Sequence, residues 1–200
     1  MSRLVLRAAM LTLFAVCLLP AGVFAQANTA TFLALDTATQ GNWRAGYGGD
    51  GYWLSNYSQS LPSYDPSLSV QDESNWTWAA STTDPRALQI SGSSRIAAAW
   101  YNPSSFSFDV NLTDGQSHRL ALYAVDWDYG GRVETIQILN AVTNQVLDQE
   151  VLSNFTGGSY LAWNITGHVT IKILCNSGNN AVVSGLFFGG SSLGTIHVPR

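Results

Sequence analysis

Beyond its first two dozen residues the chain alternates apolar and polar side chains with a period of two, and no window carries an apolar stripe at helical spacing. Ser105-Phe106-Ser107-Phe108-Asp109-Val110 shows the pattern of a strand with one buried and one solvated face. Arg95-Ile96-Ala97-Ala98-Ala99-Trp100 is apolar throughout its centre, which predicts a strand in mid-sheet, covered on both faces. Strands are predicted over Thr31–Leu35, Tyr52–Ser55, Leu68–Val70, Asn75–Ala80, Ala87–Ile90, Arg95–Tyr101 and Ser105–Leu112. They continue over His118–Asp126, Val133–Asn140, Gln145–Leu152, Ser159–Ile165, His168–Cys175 and Ala181–Phe188. Turn signals separate them: Asp114-Gly115, Gly130-Gly131, Gly157-Gly158, Thr166-Gly167 and Ser177-Gly178-Asn179. Short strands at such even spacing predict an all-β fold, a single antiparallel β-sandwich or barrel. No repeat or linker divides residues 26–188, and Gly189-Gly190-Ser191-Ser192 opens an expected flexible tail over 189–200.

The amino terminus breaks the pattern. Arg3 and Arg7 precede an uncharged, mostly apolar run from Ala8 to Leu19 that stops at Pro20. That run fits the roughly 7–15 residues of a signal h-region and falls short of the roughly 20 needed to span a bilayer. Val23-Phe24-Ala25 puts small residues at cleavage spacing, with Ala25-Gln26-Ala27 as a second choice. Residues 1–25 therefore read as a cleaved signal peptide, and the protein as secreted or periplasmic rather than membrane-spanning. Cys17 follows Phe14-Ala15-Val16, a poor lipobox, so no lipid anchor is expected. Its loss with the signal leaves Cys175 without an intramolecular disulfide partner. Alternation puts Cys175 on the side of Val169, Ile171 and Ile173, as a buried thiol rather than a nucleophile.

Charge narrows the partners. The whole chain has 9 basic and 13 acidic residues, a net charge of −4, and it becomes more acidic once Arg3 and Arg7 are removed. Such a surface repels phosphate backbones, so nucleic acid and anionic lipid are poor partners. Charged residues make up only 11% of the chain, and the remaining neutral polar surface suits uncharged, hydroxyl-rich ligands.

The segment Gly41–Trp53 sets large rings among glycines. Glycine permits tight turns and close approach of a ligand, and flat aromatic faces stack on sugar rings. Trp43, Tyr47 and Trp53 are the candidate stacking platform, with Asp50, Asn42 and Arg44 as hydrogen-bonding partners for hydroxyls. Tyr52 and Trp127 also fall in or beside predicted loops. Trp76, Trp78, Trp100 and Trp163 lie inside predicted strands and are expected to be mostly core, Trp76 and Trp78 sharing one face.

The runs LDTATQGNWRAGYGGDGYWL, WTWAASTTDPRALQ, LYAVDWD and NAVVSGLFF resemble a secreted bacterial β-sandwich module that also recurs within longer exported proteins. At fold level this is similar to the galactose-binding-like jelly rolls used by many carbohydrate-binding modules, over roughly residues 31–188. The resemblance implies a jelly roll and makes glycan binding the expected activity. It transfers no ligand residues.

Several motifs compete with that reading. Gly46-Tyr47-Gly48-Gly49-Asp50-Gly51 matches the dinucleotide fingerprint, but a strand-like run follows where a helix must begin. Gly190-Ser191-Ser192-Leu193-Gly194 matches a nucleophile elbow, but only His197 and no carboxylate side chain follows it. Asp126-Trp127-Asp128-Tyr129-Gly130-Gly131 begins like a calcium loop, with Gly130 at the fifth position, Gln137 where the bidentate Glu should be, and Glu134 nearby. Two readings follow: a structural Ca2+ held by Asp126 and Asp128, or an ion pair of either with Arg132 or Arg86. No other cofactor is expected.

Glycoside hydrolysis needs two acids facing across a cleft. Glu73, Glu134 and Glu150 are the only glutamates, and none forms the Glu-x-Asp-x-Glu pattern of sandwich glucanases. His118, His168 and His197 form no ligand-spaced pair, and the sequons at Asn56, Asn75, Asn111, Asn154 and Asn164 are expected to be inert in a bacterial host. The leading reading is an exported, non-catalytic domain that binds polysaccharide or glycan. The alternatives are a structural or adhesive envelope protein that binds a protein partner, and a small glycoside hydrolase.

Overall fold

The computed structural model describes residues 27–65 and 67–190. The expected signal segment, residues 1–25, and residues 191–200 of the expected tail lie outside them. In chain order the strands are β1 (Thr29–Asp36), β2 (Gly51–Leu54), β3 (Gln59–Ser60), β4 (Ser69–Gln71), β5 (Ser74–Thr82), β6 (Leu88–Gln89), β7 (Arg95–Asn102) and β8 (Ser105–Asn111). They are followed by β9 (Ser117–Ala124), β10 (Val133–Asn140), β11 (Val146–Ser153), β12 (Ser159–Thr166), β13 (His168–Ser177), β14 (Ala181–Val183) and β15 (Gly185–Phe188). One 3-10 turn, Trp43–Ala45, is the only helical element among the described residues. No described helix is long and apolar enough to cross a membrane.

Every strand pairing is antiparallel. The strands form a six-stranded sheet ordered β1-β12-β9-β15-β2-β3, a five-stranded sheet ordered β11-β10-β13-β8-β4, and a small sheet ordered β14-β7-β5 with β6 also on β7. The two large sheets face each other across the main core. Phe106, Phe108 and Val110 of β8 meet Leu120 and Leu122 of β9 and Trp163 of β12 there. The class is all-β and antiparallel, as the alternation predicts.

A third layer is the departure. Intervening residues of the same strands, Ala121 and Tyr123 of β9, Tyr160 and Ala162 of β12, and Phe187 of β15, point the other way into a second core. Leu88, Ile96 and Ala98 of the small sheet, with Trp43 and Tyr47 of the glycine-rich loop, cover that face. The central strands β9, β12 and β15 of the six-stranded sheet are thus buried on both sides. Strand β7 lies mid-sheet with its centre buried, as its apolar run predicts.

The expected platform of rings in the glycine-rich loop is corrected by this packing. Trp43 is 5% exposed and Tyr47 3%. The Trp43 indole donates to the Gln89 carbonyl at 2.9 Å, and its ring tilts against Tyr52 and Phe187. Tyr47 lies flat on Tyr160 with centroids 4.0 Å apart, and its hydroxyl donates to Asp36 Oδ2 at 2.8 Å. Gly48 adopts φ +71° beneath the Trp43 ring, a left-handed turn that closes the loop inward. Trp53, next to Tyr52 on β2, points to the opposite face and meets Trp100 edge-on at 5.0 Å. The alternation of a strand thus separates residues that stand together in sequence.

The predicted strand Ala181–Phe188 is in fact two. It breaks at Ser184, whose amide donates to the Tyr123 carbonyl, and the chain passes from the small sheet into the six-stranded one. Behind β14 lies the buried glutamate Glu134, whose Oε2 accepts from the Val182 amide at 2.9 Å while Oε1 has no partner among the described residues. Burial lifts this carboxyl to about 8, with the Val182 amide and Arg132 pulling against it.

Two outcomes follow. Trp43→Ala is expected to lower stability by about 3–5 kcal/mol, the usual cost of emptying a buried aromatic site, read as a lower midpoint in denaturant with unchanged slope. Glu134 binds its proton more tightly folded than unfolded, so its contribution is complete below about pH 4.5 and is lost as pH rises through about 8. Glu134→Gln should therefore melt close to wild type at pH 4.5 and several degrees higher at pH 9, the gap opening across that window in paired thermal scans.

Candidate functional site

Strand β5 is the open edge of the small sheet, and β7 beside it carries small side chains. Trp76 pairs across to Ala99 and Val182 to Tyr101, so these four share one face. The alanine and valine keep the floor low while the rings rise from it. The result is an open groove of about 210 Å³, lined by Trp76, Trp78, Tyr101, Asp128, Arg132 and the Asn179-Asn180 turn, among others. Trp76 is 55% exposed and makes no ring contact or hydrogen bond among the described residues. The Tyr101 hydroxyl and the Asn179 amide likewise have no described partner.

One wall is held rigidly. The Trp78 indole donates to Asp128 Oδ2 at 2.8 Å, and its ring lies near-parallel to Trp127. Arg86 sits 4.3 Å over the other ring of that pair and is itself anchored to Asp84 at 2.8 Å. From Asp128 the chain of contacts continues through Arg132, whose Nη1 donates to Asp128 Oδ1 at 2.8 Å and to Asp126 Oδ1 at 2.5 Å. Arg132 Nε donates to Asn180 Oδ1 at 3.0 Å, tying in the turn that closes the groove. Burial pushes the Asp126 carboxyl up, but the Arg132 and Gly130 amides and the Arg132 guanidinium together outweigh it and hold the group below the usual carboxylate range.

That network bears on the metal expectation. Asp126 and Asp128 both face the guanidinium of Arg132. No cluster of three or more Asp, Glu, His or Cys able to hold a metal occurs among the described residues. Of the two readings, the ion pair is the one this geometry displays, with Arg132 rather than Arg86.

The other sequence-derived candidates are scattered. Asn42 Oδ1 accepts from Arg95 Nη2 at 2.5 Å, Arg44 Nη2 donates to the Ile90 carbonyl at 2.7 Å, and Asp50 Oδ2 accepts from the Tyr64 hydroxyl at 2.9 Å. Arg44 and the edges of Trp43 and Tyr47 border a shallow depression with Gly48, Gly49 and Tyr52. Trp53 lines a different groove with Glu73 and Asn75. The six residues thus form no common site. Trp100 and Trp163 are core as expected, whereas Trp76 is not. The signal that marks Trp76 is its position beside the small residues Ala97-Ala98-Ala99 of a pairing strand, and pairing is invisible without register.

Catalytic carboxylates are sparse in these grooves. The Trp76 groove carries Asp128 alone, already ion-paired, and the Trp53 groove carries Glu73 alone. Glu134 is sealed in the core. Two acids facing across a cleft, the requirement for glycoside hydrolysis, are therefore not assembled in either groove.

No family model matches this chain, and no curated protein matches it. Seven chains of solved structures do, among them the structure of CBM51-2 in complex with GlcNAc and INT domains from Clostridium perfringens ZmpB. The match has 11% identity and a TM-score of 0.33, and it covers 81% of this chain and 41% of that one. This chain thus spans less than half the length of that structure, and the likeness is too distant for any residue role to be carried across.

Proposed function

We propose that this protein binds a neutral glycan in the groove of the small sheet, without bond-breaking chemistry. The observation that carries the reading is Trp76, a large ring 55% exposed in a concave site beside polar groups that have no described protein partner. An exposed tryptophan on a supported strand offers a flat apolar face, and Tyr101, Asn179 and Asp128 around it offer donors and acceptors for hydroxyls. Stacking contributes on the order of 1 kcal/mol per ring. The groove is smaller than the roughly 300–1,000 Å³ of enclosed small-molecule sites, which suits a ligand lying along the surface with one unit seated.

Charge supports a neutral ligand. Arg132, 4% exposed, is the sole cation of the lining and already faces two carboxylates. A uronate or sulfate would meet the remaining negative charge of Asp128 with no free cation to balance it. Export, expected from the first residues, would place the domain where such glycans occur.

A protein-binding envelope role is the second reading. It is favoured by Leu33 and Leu35 of β1 and Val151 of β11, exposed apolar side chains on the outer strands of the two large sheets.

Depletion assays on insoluble cellulose, xylan, mannan and chitin, with polygalacturonate gel as the anionic counterpart, separate these readings. Trp76→Ala is expected to cut retention on the neutral polymer about tenfold while leaving the melting temperature within about 2 °C, because the ring supports no packing. Retention unchanged by Trp76→Ala, or strongest on polygalacturonate, defeats the proposal. Retention of wild type on none of the polymers defeats it too and leaves the apolar edge as the standing reading.

A further inference from the structure

The edge strand β5 is flanked by two grooves, not one. Alternation sends Trp76 into the groove described above, while its neighbour Asn75 lines a second groove of about 410 Å³. That second groove lies where the β2–β3 hairpin of the six-stranded sheet, β4 of the five-stranded sheet and β5 of the small sheet converge. Each of β3, β4 and β5 is the last strand of its sheet, so the groove is rimmed by outer strands.

Its chemistry repeats that of the first. Trp53 forms the aromatic floor, locked edge to face at 5.0 Å on the buried Trp100 and backed by Phe108. Tyr57 stands at the rim, 48% exposed. The Tyr57 hydroxyl, the Gln59 and Asn75 amides and the Glu73 carboxylate have no partner among the described residues. Asn56 Nδ2 donates to Thr77 Oγ1 at 3.0 Å, bracing the hairpin against β5 and fixing the groove's width. The lining carries one carboxylate and no cation. A ring-shaped, hydroxyl-bearing, uncharged ligand fits this set: its apolar face lies on Trp53 and its hydroxyls meet amide, phenol and carboxylate.

We infer that the Trp53–Tyr57–Asn75 groove is a second site for a neutral glycan, which makes a single domain bivalent with β5 as the rib between its two sites. The chemistry of the occupant rests on the glycan reading above; the existence of the site rests on the groove's own residues. Two weak sites on one rigid domain raise retention on a polymer well beyond either alone, because the second contact forms at high local concentration.

Calorimetry with cello-, xylo-, manno- and chitohexaose tests this, with tryptophan indole N–H resonances as a second readout. Wild type is expected to take two hexaose molecules per chain, shifting the Trp76 indole and, separately, that of Trp53. Trp76→Ala should reduce the stoichiometry to one and spare the Trp53 shift. Tyr57→Ala with Glu73→Gln, both at the rim and outside the core, should reduce it to one and spare the Trp76 shift. One molecule per chain, lost on Trp76→Ala and untouched by the rim pair, overturns the second site and keeps the first. One molecule lost only with the rim pair overturns bivalency and the Trp76 site together. No hexaose bound by wild type overturns the glycan reading and the second site with it.

Discussion

The central strands of the six-stranded sheet, β9, β12 and β15, bury both of their faces, and the rest of the molecule is arranged around that constraint. Leu120 and Leu122 of β9 supply the core shared with the five-stranded sheet, while Ala121 and Tyr123 between them require a cover on the opposite side. The small sheet and the glycine-rich loop provide it. A buried aromatic side chain removes about 150–250 Å² from water, which at about 25 cal/mol per Å² is of order 4–6 kcal/mol as an upper figure. An exposed ring stacked on a sugar recovers about 1 kcal/mol. The comparison accounts for the burial of Trp43 and Tyr47 and for the inward turn at Gly48.

Covering the central sheet has a consequence at the periphery. The small sheet spends one face on the second core; on the other, Ala99 and Val182 lie buried between taller side chains, and β5 forms the open edge. Trp76 therefore stands in solvent on β5, while Trp78, two residues on, is drawn into the contact chain running from Asp84 through Arg86, Trp127 and Asp128 to Arg132. That chain orients the wall of the groove without occupying its mouth. Arg132 links the wall to Asn180, and Glu134 behind it holds β14, so floor and turn are fixed from the interior. A weakly binding surface site gains most from such pre-ordering, since little freedom remains to be lost on binding.

Much of the fold was legible beforehand. Alternation placed all but one of the strands within a few residues, missing only the two-residue β3, and ran β14 and β15 together across Ser184. Both failures have the same origin. Periodicity reports which residues share a face, but not which sheet a strand joins or where the chain changes sheets. The site was less legible. Trp43 and Trp76 both occur as rings among small and polar residues, and they exchange expected places because one faces a layer and the other does not. Asp126 and Asp128 show the same limit: spacing marked them for a metal or for an ion pair with Arg132 or Arg86, and the fold sets both of them against Arg132.

The period-two backbone, the all-β class, the central burial of Arg95–Trp100 and the surplus of negative charge could all be read from the chain, because they depend on local alternation and composition. The third layer, the inward loop, the split of the last strand and the exposure of Trp76 emerge only in the folded molecule. Each of these depends on which face of which sheet a distant segment covers, and that is settled by long-range packing among strands far apart in the chain.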